Sequence, residues 1–565
     1  MKKQYFLAIA MFMLLTVFAA CSSDDNLDNG KGKVDVVSKF EFPVTFADYN
    51  SDVQVGNTRA AANSSDTLKH EFVNMGNGLV ADVTLQRDKE NLSGNPAQAA
   101  STRTLTNDSY TMLAYQSGVL KGELKGSISG GNFIPNTGDP ESMSLAPGNY
   151  DFVLYPTNRF TRSGNNLTST YASEYSMLGR TNYTVTASPQ KQKVPFAMKH
   201  TVARVRVKFN TYVKVQPSNF RVGFYAANPA EVPSSAVYDA ATGTWSTSGT
   251  GGSFGLGGSA WTESLGSGIY SYTSPGYFYI FPGSNITNLK ATLENATIYT
   301  ENFNSKSLTF ALTPVLASVA NGSYLISITF HYNFLYLMTD GTTGLFSETT
   351  FGGGTKTPIA VVISQSKKLA AALEEVSSGY QNYSGVVNSG VLNLPWYYAT
   401  GSDFTADGAD GYKFTWEAAG SADGTTIKAN DQTRFPAFYS AAHYTPTLPA
   451  GKSLTGSIVG KKWFLPSVGE VLMIYGALKD LGVSNGLYAR SMGGGMSDQN
   501  YWQWDMYSEG HLSGMAPMAF VQVNGVSPVS LMLTSSQTST GAGIAADYHV
   551  EIGGYSQKVR PFIHY

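Results

Sequence analysis

The stretch Thr201-Val202-Ala203-Arg204-Val205-Arg206-Val207-Lys208-Phe209 decides the fold class of this 565-residue chain. From Ala203 onward the odd positions are apolar, and the even positions carry Arg204, Arg206 and Lys208. A repeat of two sends these sets to opposite faces of a strand, which predicts a sheet with one buried and one solvated face. The three bases belong to that solvated face rather than to an anion site.

The same alternation extends outward in both directions. Downstream, Tyr324, Ile326, Ile328, Phe330, Tyr332 and Phe334 share one side of a strand. Upstream, Phe40, Phe42, Val44 and Phe46 alternate with polar residues and Pro43, and Ala81, Val83 and Leu85 alternate with Val80, Asp82 and Thr84. Thr111–Tyr115 and Tyr150–Tyr155 add shorter strands. A chain with 58 glycines, 34 tyrosines and only 14% charged residues suits many strands joined by tight turns. Two tandem β-sandwiches, residues 36–200 and 201–352, are the economical arrangement.

Beyond Phe351-Gly352-Gly353-Gly354-Thr355, which reads as a flexible hinge, the pattern changes. Leu369, Ala372, Leu373 and Val376 have helical spacing within 366–377. Ser467 and Glu470 form a capping box ahead of Val471, Ile474, Tyr475 and Leu478, with Gly482 past the helix end. Residues 355–565 therefore read as a separate α+β domain. The fold class is mainly β, with an α+β unit at the end.

At the start, Lys2 and Lys3 precede an apolar run over residues 5–20 and small residues before Cys21, the one cysteine of the chain. This layout resembles the bacterial lipoprotein signal, with residues 1–20 removed and Cys21 lipidated. An ordinary signal peptide with an incidental cysteine is the alternative. Residues 21–35 read as a flexible tether whose acidic run resembles the surface-export signal of Bacteroidetes lipoproteins, or else as a plain solvated linker. A lone cysteine excludes disulfides and thiolate sites from the mature chain. A net charge of −2 with scattered bases argues against nucleic acid as a partner.

Two regions resemble known families. The early strand with Asn57-Thr58-Arg59-Ala60 behind it, and Pro195-Phe196-Ala197-Met198-Lys199-His200 leading into the 203–209 strand, make residues 36–350 similar to the fimbrillin superfamily of Bacteroidetes, the subunits of type V pili. The resemblance implies two transthyretin-like β-sandwiches. It also implies an arginine-specific cut that removes the lipid and the first strand, opening a groove for the strand of a neighbouring subunit. Arg59, in a polar small-residue stretch that begins at Asn50, is the expected processing site; Arg103 is the alternative.

The second resemblance rests on Trp463-Phe464-Leu465-Pro466-Ser467, Tyr501-Trp502 and Arg560-Pro561-Phe562. Residues 355–565 are similar to the major-paralogous-type domains of Bacteroidetes, which implies a C-type-lectin-like fold. Trp463, Pro466, Trp502 and Arg560 are expected to hold that fold rather than touch a ligand.

No catalytic constellation emerges. The seven histidines show no metal-type spacing, and the two Gly-x-Ser-x-Gly matches, at 251–255 and 482–486, lack the strand-to-helix context of a nucleophile elbow. No cofactor is implied. Asp403, Asp407 and Asp410 have the residue types of a calcium loop without its spacing, so a polar turn is preferred. Trp396, Tyr397, Trp502 and Trp504 could form a stacking platform for a surface protein or glycan, with core packing as the alternative.

The sequence thus predicts a non-enzymatic, surface-exposed outer-membrane lipoprotein that becomes a pilus subunit, placed at the tip because its last strand closes the lectin-like domain. A permanently anchored binding lipoprotein is the rival reading.

Overall fold

The computed structural model describes residues 32–50, 67–88, 108–136, 143–187, 191–252, 255–259, 261–299, 301–303, 306–377 and 410–467, and beyond these 470, 471, 473, 474, 478, 489–491, 502–504, 515–528, 532–537, 545–549 and 558–565. The molecule is mainly β, built of paired sheets as the alternation predicts.

The first unit is a seven-stranded sheet ordered Val44–Phe46, Phe196–His200, Met177–Val185, Gly148–Pro156, Tyr110–Gln116, Val119–Ser129 and Asn132–Pro135. Its inner face buries Phe42, Met112, Phe133, Phe152 and Phe196 in one cluster. Its outer face buries Leu113, Tyr115, Val153 and Tyr155 beneath a four-stranded sheet. This explains why Tyr110–Tyr115 is buried continuously instead of at alternate positions.

The second unit holds the decisive stretch. Ala203–Thr211 pairs in parallel with Ser323–Tyr332, which pairs antiparallel with Leu79–Arg87, followed by Thr67–Gly76 at the edge. A four-stranded sheet containing Arg221–Ala226 and Asn288–Glu294 covers the apolar face. The expected boundary near residue 200 is therefore crossed twice. The 67–87 hairpin belongs to the second unit, and Ser235–Asp239 pairs with Asn166–Ser169 on the first.

Arg204 and Arg206 correct the reading of a solvated face: both are buried. The even-numbered face of this strand is roofed by Tyr277 and by the chain at Tyr49, so alternation correctly separates the two faces while a second covering layer removes the solvent.

The third unit places Thr343–Leu345, Leu335–Met338, Pro358–Ser364, Leu369–Ala372, Phe562–His564 and Trp463–Phe464 in one six-stranded sheet. Here two further expectations are corrected. Leu369–Ala372 is a strand and not a helix; all four residues are buried, because the strand sits between two neighbours with both faces covered. Short apolar runs do not reveal their period. The glycine stretch is not an open hinge but a compact turn inside this sheet, with the Gly352 and Gly354 amides donating to the Thr349 carbonyl. A Cβ at Gly354 would lie 2.1 Å from the Glu348 carbonyl oxygen, so the turn needs glycine for close approach.

The third unit also shares its core with the second. Phe330, Tyr336, Phe346, Phe464, Ile474, Met518, Phe520 and Phe562 lie in one continuous cluster. Gln522 ties the seam by accepting from the Tyr332 amide and donating to the Tyr332 carbonyl and the Tyr336 hydroxyl. The capping box stands as predicted: the Glu470 amide donates to Ser467 Oγ at 3.3 Å and the Ser467 amide donates to Glu470 Oε2 at 2.8 Å. Val471, Ile474 and Leu478 are buried behind it.

Candidate functional site: the first strand and its seat

Residues 34–50 are the segment on which the expected processing acts. Asp35 caps the short helix Val36–Lys39 by accepting from the Val37 amide, and the chain then extends as Phe40–Glu41 and Val44–Phe46 around Pro43. Proline donates no hydrogen bond, which suits a position between two short paired segments. Phe40, Phe42 and Val44 point inward. Phe42 meets Phe133 edge-on at 6.0 Å and Phe196 at 6.4 Å, and stacks on Phe40 at 6.0 Å.

Both sides of this segment are hydrogen-bonded. On one side it runs parallel to the chain at 192–198: Phe40–Glu41 pairs with Gln192–Lys193 and Val44–Phe46 with Phe196–Met198. On the other, Val34–Asp35 pairs with Ser144–Leu145, the Phe133 amide donates to the Phe42 carbonyl at 2.9 Å, and the Val44 amide donates to the Gly131 carbonyl at 2.8 Å. The segment therefore closes the first sheet upon itself. Its loss leaves two rows of unpaired peptide groups flanking an apolar trough.

The trailing end of the segment lies across the seam, Tyr49 between the last residue of a first-unit strand and the second unit, and Asn50 on the second unit. Tyr49 lies flat on His200, with centroids 3.8 Å apart and planes at 8°, and the Arg204 guanidinium sits 4.3 Å from the Tyr49 centroid. Tyr277 covers Arg204 from another side at 4.0 Å. Arg204 Nε donates to Ser323 Oγ at 2.7 Å, and Arg206 pairs with Asp88 at 2.9 Å. Asp88 also accepts from the Tyr277 hydroxyl at 2.7 Å. Burial, then the bond to this carboxylate, pushes the Tyr277 hydroxyl up to about 12.

Asn50 completes the junction where the strands Leu79–Arg87 and Ser323–Tyr332 meet at one end. Its side-chain amide donates to the carbonyls of Asp88 at 3.1 Å and Ser323 at 3.2 Å, and its oxygen accepts from the Ser323 amide at 2.9 Å. Its backbone is left-handed at φ 60°, a conformation asparagine tolerates better than most residues. Sequence reading placed Asn50 at the head of an exposed loop and passed over Tyr49. The signal was the aromatic residue itself, three positions beyond the last apolar strand position.

Cys21, Arg59, Arg103, Trp396, Tyr397, Asp403 and Asp407 lie outside the described residues, as do the side chains of Trp502 and Trp504. The Trp502–Trp504 backbone is a strand paired with Ala489–Ser491 and Ala545–His549. Asp410 caps the helix Gly411–Trp416 by accepting from the Lys413 amide, a structural role. Asp410, Glu470 and His564 approach one another within 4.8 Å. Glu470 is occupied there by the Ser467 and Gly411 amides, and burial pushes its carboxyl up to about 7. Trp463 and Pro466 are buried. Arg560, also buried, donates to the carbonyls of Ala372, Val526 and Ser527 and pairs with Glu375. All three side chains are packed in the interior of the third unit.

Residues 95–345, just under half of the chain, match the family model described as fimbrillin-like. Among solved structures, a fimbrial protein from Bacteroides vulgatus ATCC 8482 shares 12% identity over 42% of this chain and 95% of its own, with a TM-score of 0.26. A candidate cell adhesion protein from Bacteroides uniformis ATCC 8492 shares 16% identity over 40% of this chain and 86% of its own, also at a TM-score of 0.26. A second such candidate, from Bacteroides ovatus ATCC 8483, shares 12% identity over 52% and 92%, again at 0.26. No curated protein matches the chain.

Proposed function

With residues 95–345 fimbrillin-like as the premise, we propose that the chain is a surface-exposed, adhesive pilus subunit that accepts the strand of a neighbouring subunit once its own first strand is cut away. The observation that carries this reading is the double pairing of residues 34–46, which close the first sheet and fill its core with Phe40, Phe42 and Val44. A replacement strand satisfies the exposed peptide groups and the trough together, which is the physics of strand addition. Cys21 holds the precursor in the outer membrane by its lipid, and cleavage after Arg59, or after Arg103, frees it.

The tip position is supported by Phe562–His564, which pairs on one side with Leu369–Ala372 and on the other with Trp463–Phe464. A strand committed in the interior of a sheet is not available for donation. Residues 355–565 serve in this reading as the adhesin domain, of C-type-lectin-like fold, contacting a host or bacterial surface protein or glycan.

N-terminal sequencing of the protein recovered from cell surfaces tests the proposal. A start at Ala60 supports the pilin, and a blocked Cys21 start on all surface copies favours the permanently anchored lipoprotein. The docking of Tyr49 against Arg204 and of Asn50 against Asp88 and Ser323 gives that rival its structural support, because it secures the first strand beyond its own groove.

A further inference from the structure

We propose that the incoming strand is read at its trailing end at the seam of the first and second units, in the seat now held by Tyr49 and Asn50, and that this seat selects an aromatic residue followed by asparagine. The inference rests on the strand-exchange reading above and specifies the partner: an extended peptide with four alternating apolar residues, then, three positions after the last, an aromatic residue and an asparagine.

The chemistry of the seat sets this requirement. Ser323 presents its amide and carbonyl to Asn50, and Asp88 presents its carbonyl, all at a place where Asp88 and Ser323 are buried. The Ser323 carbonyl also accepts from the Asp88 amide at 2.9 Å, but the Asn50 contacts to the Ser323 amide and the Asp88 carbonyl are lost with the strand, and losing hydrogen bonds to buried peptide groups is costly. One side chain that donates twice and accepts once must answer them, and among the uncharged side chains only a carboxamide does so. Aspartate, which has no donor when ionised, would set its oxygens against two carbonyls. The left-handed backbone at φ 60° favours asparagine over glutamine.

The position before it is equally constrained. Whatever replaces Tyr49 meets the His200 ring on one side and the Arg204 guanidinium on another, a slot for a flat aromatic ring. Arg204 is itself held by Ser323 Oγ and Tyr277, so the slot is fixed by groups that remain when the first strand leaves. A strand that filled only the trough around Phe133 and Phe196 would leave this seat bare.

The test uses the full mature chain with a sequence-specific protease site inserted after Arg59, nicked and then incubated with labelled synthetic peptides spanning residues 34–52. Variation is confined to the peptides, so folding of the chain is not at issue. The native peptide is expected to replace the resident strand, and the Tyr49→Ala, Asn50→Ala and Asn50→Asp peptides to bind at least about ten-fold more weakly. If those three bind like the native peptide while Phe42→Ala fails, strand exchange stands and the trailing-end inference is overturned. If no peptide exchanges, even in mild urea, the exchange reading falls and the inference falls with it.

Discussion

Asp88 and Arg206 form an ion pair at 2.9 Å, with side chains only 2% and 6% exposed. Asp88 lies just beyond one strand of the second unit and Arg206 within another, and the Tyr277 hydroxyl donates to the remaining carboxylate oxygen. Removing one partner strands a buried charge. Asp88→Ala is expected to destabilise the chain by about 3–5 kcal/mol, and a double replacement by apolar residues of similar size to cost much less. Chemical denaturation of the two variants checks this; equal losses would refute it.

Phe42 contacts aromatic rings on both sides of the first core. Phe42→Ala is expected to lose about 3–5 kcal/mol, whereas Thr45→Ala, on the exposed side of the same segment, loses well under 1 kcal/mol. Proteolytic susceptibility of the first unit gives a second measure, since a loosened first strand is cut sooner.

His331 is buried against the Phe346 ring, with centroids 4.7 Å apart, and burial pushes its imidazole down to about 4. The unfolded chain takes up this proton near 6.5 and the folded chain only near 4, so stability is full above 6.5 and is lost as pH falls through that window. The difference is on the order of 3 kcal/mol. Denaturation midpoints at pH 4.5 and 7 should differ less in His331→Phe than in the native chain.

Glu470 acts with the opposite sign. Burial raises its carboxyl from 4.5 to about 7, with the Asp410 charge adding to the shift, so its contribution is present below 4.5 and lost as pH rises through 7. Glu470→Gln keeps an oxygen for the Ser467 and Gly411 amides and removes the titration. The variant is expected to fold and to show a flatter profile between pH 5 and 8; an unchanged profile refutes the assignment.

Arg560→Lys should be nearly as damaging as Arg560→Ala, by about 3 kcal/mol or more. One ammonium cannot reach the carbonyls of Ala372, Val526 and Ser527 and the Glu375 carboxylate together. Thermal unfolding of both variants is the measurement.

Alternation carried most of the sheet architecture: Ala81, Val83 and Leu85 lie inward as their spacing requires, and so do Ala203, Val205 and Val207. Local chemistry carried the Ser467–Glu470 box, because both partners lie within one turn. What failed depended on distant chain. Arg204 reads as exposed until Tyr49 and Tyr277 are placed over it. Leu369–Ala372 reads as helix until Phe562–His564 and Pro358–Ser364 flank it. The apolar face of the first strand was legible, but its trailing seat was not, since the groups that define it come from residues 88, 200, 204 and 323.

The parallel pairing of Ala203–Thr211 with Ser323–Tyr332, and the antiparallel pairing of the latter with Leu79–Arg87, fix a timetable. The hairpin at 67–87 emerges from the ribosome, and crosses any export channel, long before the strand that completes its sheet. Neither the second unit nor the seat for Asn50 exists until Tyr332 has arrived. Through that interval the first strand has only its own trough to lie in, and the far end of the segment stays loose. The first strand is held at both its trough and its trailing seat only after nearly three-fifths of the chain has been delivered.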